Sequence, residues 1–329
     1  MNNIELSTVY LPILDEVYKE AAKTAVLEGD ESTVKKGNNG EIKIAKLEMD
    51  GLGDFSRNSG YTKGSTSLTW ETIRYDKERS QDLRIDRLDN EESIAEPFAK
   101  LAGEFIRTKV APETDAARIA KIAGTSGITS VTGTITTGAQ AVTALRYCAN
   151  VMDELEVPRE SRILFIVPTI KSLIDDLDTT KSKAVMDRFN QIIEVPQTRM
   201  YTAVDLNDGT SSYGYARAAG EYVKTTDTAV DSSKTYYTKS GDTYTAVVSP
   251  STANIATYYE FVGKGYPINF LCVEKSAAVC ALEQYIKYFS PDQDQEGDSH
   301  VFKYRNNNLY AHCYDNKLAG IFCSYNSAG

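Results

Sequence analysis

RYDKERSQDLRIDRLDNEESIAEPFAKLAGEFI, residues 74–106, changes its period halfway along. In the first half Leu83 and Ile85 alternate with Arg84 and Asp86, the pattern of a strand with one apolar side. From Ile94 the apolar residues step by three and four instead. Ile94, Phe98, Leu101, Phe105 and Ile106 share one face of a helix. Ser93 or Glu96 can cap its start, and Pro97 suits the first turn. Pro112 disfavours helical backbone at Ala111, which places a break or kink there. Glu113, Thr114 and Asp115 then open a second short helix through Ala116, Ile119 and Ala123.

Upstream, Ile42 and Ile44 alternate, then Leu47 and Met49 alternate in the other phase, as a strand with a bulge would. A tip rich in turn residues follows: Asp50, Gly51, Gly53 and Asp54, then Asn58, Ser59, Gly60 and Gly64. Alternation resumes at Leu68, Trp70 and Thr72. The whole of 39–92 is expected to be a long, two-stranded, highly charged excursion. A lone hairpin is marginal in water, so its apolar residues need a surface that is not sequence-local, such as a neighbouring subunit. Phe55, Tyr61, Leu68 and Trp70 are the candidates for that contact. Residues 74–92 mix both signs of charge, and Arg79 and Arg84 are candidates for register-setting ion pairs across an interface. A solvated strand pair would account for the same charges. Before the excursion, an extended arm runs into a helix after Pro12 that carries Ile13, Val17 and Ala21.

Downstream, 124–138 is Gly/Ser/Thr-rich and reads as a loop or short hairpin. A helix at 139–156 stops at Val157 and Pro158. Ile163 to Val167 is a buried strand, and Pro168 starts a short helix through Leu173 and Leu177. Strands are expected at Ile192 to Val195 and at Met200 to Val204. Residues 207–270 contain no Leu, Met, Cys or Trp but nine Tyr. Ser240, Gly241 and Asp242 separate two Tyr/Thr runs, so 218–264 reads as an inserted, surface-displayed β-module. After it, Ile268, Phe270 and Cys272 alternate, Ala277 to Leu282 is helix-like, and strands are expected at 284–289, 300–305, 309–314 and Ala319 to Tyr325.

The 329 residues hold 36 Lys+Arg and 46 Asp+Glu, a net charge of −10. That balance argues against a protein that grips nucleic acid with a dense basic patch. No apolar run approaches the ~20 residues of a membrane-spanning helix, so no membrane partner is expected. The N-terminal residues show no basic segment followed by an apolar core, so no secretory signal is expected.

Few residue patterns suggest chemistry. Asp292, Asp294, Glu296 and Gly297 mimic the front of a calcium loop, but Lys303 stands where a bidentate Glu is needed and the flanks read as strands; a charged loop between strands is the preferred reading. His300, His312, Cys313 and Cys323 match no zinc spacing and read more simply as strand residues. Asp175, Asp176 and Asp178 could attract cations or form a solvated face. With only two His and no Gly-x-Ser-x-Gly elbow, no catalytic, cofactor or metal site is expected.

The order of arm, long β-excursion, spine-like helix, α/β unit, β-insertion and terminal strands resembles the tailed-bacteriophage major capsid proteins. Four stretches carry the resemblance: Asp76 to Arg79 leading into Leu83 to Ser93; Val110 to Ala116; Pro158 to Pro168; and Ser290 to Asp298 with Tyr304, Arg305 and Asn316 to Ile321. The resemblance implies an α+β phage capsid fold. Its parts would be an N-terminal arm and helix (1–38), a hairpin E-loop (39–92), and a P-domain with its spine helix and adjoining segment (93–138). The first part of an A-domain (139–217), the inserted module (218–264) and a return through A- and P-domain strands (265–329) would follow. It further implies a structural subunit, not an enzyme, made in a bacterial cytoplasm and assembled as pentamers and hexamers into an icosahedral virion shell around double-stranded DNA. A portal would be its partner, and assembly would use a separate scaffolding protein, or none. A surface-display or adhesive β-protein, with the Tyr-rich module binding a ligand, is the alternative; an α/β enzyme built on 139–177 is a third.

Overall fold

The computed structural model describes residues 21–29, 34–36, 41–53, 55, 57, 61, 63–87, 97–209, 213–231, 234–293 and 297–327. The expected arm and its helix before Ala21, and the caps Ser93 and Glu96, lie outside these residues. Two compact units are formed, one from 24–106 with 278–312 and one from 21–23, 107–277 and 313–329.

In the first unit β1 (Val34–Lys36), β2 (Glu41–Met49) and β3 (Thr66–Arg74) form an antiparallel sheet in the order β1-β2-β3. β4 (Lys77–Asp86) does not stay with this hairpin, contrary to the two-stranded expectation. It pairs antiparallel over ten residues, Lys77↔Asn308 to Asp86↔Ser299, with a strand from the far end of the chain. Backbone groups need partners along their whole length, and a ten-residue strand finds them only against an equally long one. α1 (Pro97–Phe105) lays Phe105 edge-on against Phe302 and Tyr304, at 6.5 and 5.7 Å between ring centres.

Of the break or kink expected at Pro112, the break does not occur. A π-turn at Ile106–Val110 leads directly into α2 (Ala111–Ala123), and Val110 has helical angles (φ −68°, ψ −50°). Proline lacks an N–H and its ring crowds the preceding turn; the wider π-turn relieves that crowding without leaving the helix. α2 buries Asp115, whose Oδ2 accepts from Arg199 Nη1 (3.0 Å) and from the Lys23 backbone N–H (2.9 Å).

The second unit is built on a five-stranded sheet. Its strands are β5 (Thr129–Thr132), β6 (Arg162–Ile166), β7 (Gln191–Glu194), β14 (Ile268–Glu274) and β17 (Ile321–Tyr325), in the order β5-β17-β14-β6-β7. Residues 129–132 are therefore an edge strand running parallel to β17, not a loop or local hairpin. α3 (Gly138–Glu154), α4 (Pro168–Asp175) and α5 (Thr180–Met186) contribute Leu145, Cys148, Met152, Ile170, Ile174 and Val185 to a core with Leu164, Ile166, Phe270 and Phe322. On the other side of the sheet Phe165, Leu271, Val273, Ile321 and Cys323 are buried too. Burial on both faces is why Ile163 to Val167 is apolar without alternation. Of the strand expected at 200–204 only β8 (Val204–Leu206) forms, paired with β9 (Tyr215–Arg217); Tyr201 makes a single bridge to Pro267.

α3 starts with a capping box in which Thr137 and Gln140 satisfy each other's backbone N–H groups. Gly138, its first residue, is in close contact with α4: a Cβ there would stand 2.1 Å from the Leu173 carbonyl oxygen. Gly138→Ala must push α3 and α4 apart. It is expected to lower the unfolding free energy of the unassembled subunit by ~1–3 kcal/mol, the usual cost of overpacking. A urea midpoint equal to that of the wild type would contradict this.

The Tyr-rich module is a four-stranded antiparallel sheet, as the composition shift suggested. It contains β10 (Glu221–Lys224), β11 (Tyr236–Ser240), β12 (Thr243–Ala246) and β13 (Tyr259–Val262) in the order β10-β13-β11-β12. The residues expected to be helical at 277–282 instead begin β15 (Ala278–Phe289). The two strands expected at 300–305 and 309–314 are one, β16 (Ser299–Cys313), with Asn306, Asn307 and Asn308 buried at its middle. Those residues suggest a turn, but pairing with β4 carries the strand through them.

Candidate assembly surface

β2 and β3 pair without interruption from Glu41↔Arg74 to Met49↔Thr66. The change of apolar phase inside β2 is therefore not a bulge but a change of the face that carries apolar residues. At the base Ile42 pairs with Ile73, and Ile42 is fully buried. Toward the tip the other face carries the apolar residues: Met49 is registered against Thr66 and Leu47 against Leu68, with Trp70 opposite Ala45.

This outer stripe is left open. Relative exposure is 70% at Met49, 60% at Phe55, 89% at Tyr61, 59% at Leu68 and 38% at Trp70, and Leu52 is fully exposed. Phe55 and Tyr61 meet edge to face at 5.2 Å. The tip is closed by the Asp50 N–H donating to the Ser65 carbonyl (3.1 Å) and the Ser65 N–H donating to Asp50 Oδ2 (2.6 Å). Contiguous exposed apolar side chains of this size mark an interaction surface. The four apolar candidates thus lie on one hairpin. Met49 and Leu52 join them, and the phase change in β2 was the available signal for Met49.

Arg79 and Arg84 are not on the hairpin but on β4, opposite Asn306 and Val301 of β16. Arg84 is engaged locally, with Nη2 3.1 Å from Asp82 Oδ2, and Lys303 Nζ approaches the same oxygen at 3.8 Å. Arg87 lies 3.7 Å from Asp292 and 3.9 Å from Asp298. Much of the charge in this stretch is answered within the chain by exposed pairs worth ~1 kcal/mol or less each.

The elbow between hairpin and β4 was not foreseen. Tyr75 Oη donates to Glu283 Oε2 (3.2 Å), and burial with that carboxylate pushes the phenol's pKa up. The Asp76 N–H donates to the Asn308 carbonyl (2.8 Å), while Asp76 Oδ2 accepts from the Tyr310 N–H (2.9 Å). His312 Nε2 lies 3.7 Å from Glu71 Oε2 on β3. These contacts fix the base of the hairpin to β15 and β16.

Both histidines are strand residues with local contacts, His300 Nδ1 lying 2.9 Å from Tyr288 Oη. Cys148, Cys272, Cys280 and Cys323 are buried and unbridged; burial pushes the Cys323 thiol up to about 12. Asp175 and Asp178 are each held by a lysine, Lys171 at 2.5 Å and Lys183 at 2.7 Å. Residues 294–296 of the calcium-like loop lie outside the described residues. Among the described residues, no three or more His, Cys, Asp or Glu gather as a metal site.

No family model and no curated protein matches this sequence. Solved structures do match it. The capsid structure of cyanophage P-SCSP1u is similar over 89% of this chain and 85% of its own, with 12% identity and a TM-score of 0.53. The asymmetric unit of the mature capsid of bacteriophage PhiM1 is similar over 89% and 83%, with 12% identity and a TM-score of 0.50. The chain has the tailed-phage capsid fold. Within that capsid fold the hairpin with its bare apolar stripe comes from the first unit and the Tyr-rich module from the second.

Proposed function

We propose that the chain is a major capsid subunit, which self-assembles as pentamers and hexamers into an icosahedral shell around double-stranded DNA. The observation that carries this is the stripe of Met49, Leu68 and Trp70, with Leu52, Phe55 and Tyr61 at the tip, left exposed on a hairpin whose base is buried. Residues 39–92 act as the E-loop lying over a neighbouring subunit, and 1–38 as an arm reaching another. Residues 93–138 form the P-domain with its spine helix and adjoining segment. Residues 139–217 with 265–329 supply the A-domain and the returning P-domain strands, and 218–264 form an added module. The subunit works through surfaces, not catalysis. A scaffolding protein and a portal assist it, and the virion is its final location after synthesis in the host cytoplasm. Its charge of −10 suits a container that must release its DNA without tight phosphate contacts.

Electron microscopy of the purified chain, alone and co-expressed with its scaffolding partner, tests this. Closed shells of uniform size are expected. Only small separate particles under both conditions would overturn it.

A further inference from the structure

The Tyr-rich module sorts its side chains by face. Strand register places Tyr222 and Phe261 together, Lys224 with Tyr259 and Tyr237, and Lys239 with Tyr244, all on one side of the sheet. The carboxylates of the same strands, Glu221 and Glu260, fall on the other side, as does Tyr236. The second side is covered at its middle: Tyr236 is buried with Ile255 and Tyr258, Tyr236 Oη donates to Asp227 (2.8 Å), and Tyr258 Oη accepts from the Ser251 N–H (3.3 Å).

The first side is open. Its five aromatic rings are all half-exposed, and both lysines are exposed. Tyr222 and Tyr244 stand on the two outer strands, yet their rings stack at 4.0 Å and 5°. Twist therefore folds that diagonal of the sheet inward and gathers the rings into one aromatic floor. Tyr237 (4.9 Å) and Phe261 (4.8 Å) pack on Tyr222, Tyr259 packs on Tyr244 (5.4 Å), and Lys239 Nζ lies 5.4 Å from the Tyr244 ring centre. The hydroxyls of Tyr222, Tyr237, Tyr244 and Tyr259 make no hydrogen bond to a described residue, unlike those of the two buried tyrosines. Such groups gather where one side of a ring is apolar and the other wet.

We propose that this face binds an acidic polysaccharide. The rings offer an apolar floor to the C–H faces of sugar rings, and the four hydroxyls that make no hydrogen bond to a described residue are available to sugar hydroxyls. Lys224 and Lys239, two strands across and two residues along the sheet or about 12 Å apart, meet carboxylates spaced along the chain. No carboxylate on the four strands opposes them on that face, although the protein as a whole is acidic. A nucleic acid fits less well. It needs a denser row of cations than the two lysines of this face.

Affinity electrophoresis of the full chain in native gels tests this, with polygalacturonate, neutral dextran or oligo-dT in the gel. Polygalacturonate is expected to retard the protein; dextran is not, and oligo-dT less than polygalacturonate. The double variant Lys224→Glu, Lys239→Glu, at two exposed positions, is expected to weaken binding at least tenfold. Thr243→Glu, exposed on the other face, is expected to leave it unchanged. Tyr222→Ser should also weaken binding, with circular dichroism reporting whether the module still folds. Absence of retardation by polygalacturonate, equal retardation of the double lysine variant, or stronger binding to oligo-dT would each overturn the proposal.

Discussion

Replacing residues 51–64 with Asn-Gly is expected to give a folded subunit that forms no closed shells. The substitution joins Asp50 to Ser65, which already face each other across the hairpin by two hydrogen bonds. Asn-Gly is the favoured two-residue connection for antiparallel strands, so the register of β2 and β3 continues to Met49↔Thr66. The first unit keeps its core, because Ile42 and the Tyr75–Asp76 elbow lie at the opposite end of the hairpin. What is lost is Leu52, Phe55 and Tyr61, all exposed and none contributing to a buried core. The urea midpoint of the unassembled subunit should stay within the effect of ~0.5 kcal/mol typical of a surface change. Assembly should fail completely, because each missing anchor at an interface costs ~2 kcal/mol and the loss repeats at every subunit contact. Leu68→Ser and Trp70→Ala, which keep the tip, should weaken assembly in proportion. Sedimentation velocity and electron microscopy read the outcome. Normal shells from the shortened hairpin would remove the hairpin from the interface and, with it, the chief support for the capsid reading.

Much of the fold was legible because burial leaves a mark on local sequence. The helix carrying Phe105 showed in three- and four-residue steps, and the central strand showed as Ile163 to Val167 because both sheet faces are covered. The inserted module showed as a shift to Tyr and Thr. What stayed hidden depended on partners distant in sequence. Asn306 to Asn308 suggest a turn, yet β4, more than two hundred residues earlier, holds them in a strand. Thr129–Thr132 become a strand only against Ile321–Tyr325. Ala277 to Leu282 have helix-forming residues, but the edge of a long sheet overrides that weak preference. Pro112 marks where the helix is disturbed, but whether the backbone answers with a break or a π-turn is not written in the local sequence.

The candidate surface was half legible for the same reason. Phe55, Tyr61, Leu68 and Trp70 stand out as apolar residues in a polar excursion, whereas the fate of Arg84 depends on Asp82 and on which strand β4 joins. The phase change in β2 held more information than a bulge would. It records which face is covered by the chain itself and which is left exposed.

Asp153→Ala is expected to be the most damaging single charge removal in the second unit. Arg162 is fully buried at the start of β6. Its Nη2 donates to the Val157 carbonyl (2.5 Å) and lies 2.8 Å from Asp153 Oδ1, while Nε and Nη1 have no partner. Asp153 is also gripped by Arg159, with Arg188 at 3.9 Å. The hydrogen bonds from Arg159, then that from Arg162, hold its carboxyl below the usual carboxylate range. Without Asp153 the guanidinium keeps its charge in a buried place with one carbonyl for company, which costs ~3 kcal/mol or more. Arg162→Met removes the charge itself and keeps a long side chain on the sheet face it shares with Leu164 and Ile166. It should be close to neutral, and in the double variant it should recover most of the loss. The acid limb gives an independent check. A carboxyl with a depressed folded pKa stabilises fully above its unfolded value, near 4, and loses that contribution as pH falls through the folded value. The wild type should therefore lose stability below about pH 4 more steeply than Asp153→Ala does. Urea titrations of the unassembled subunit at pH 7 and along the acid limb measure both effects. An Asp153→Ala cost below ~1 kcal/mol, or an Arg162→Met cost as large as that of Asp153→Ala, would show that the buried guanidinium does not depend on this carboxylate.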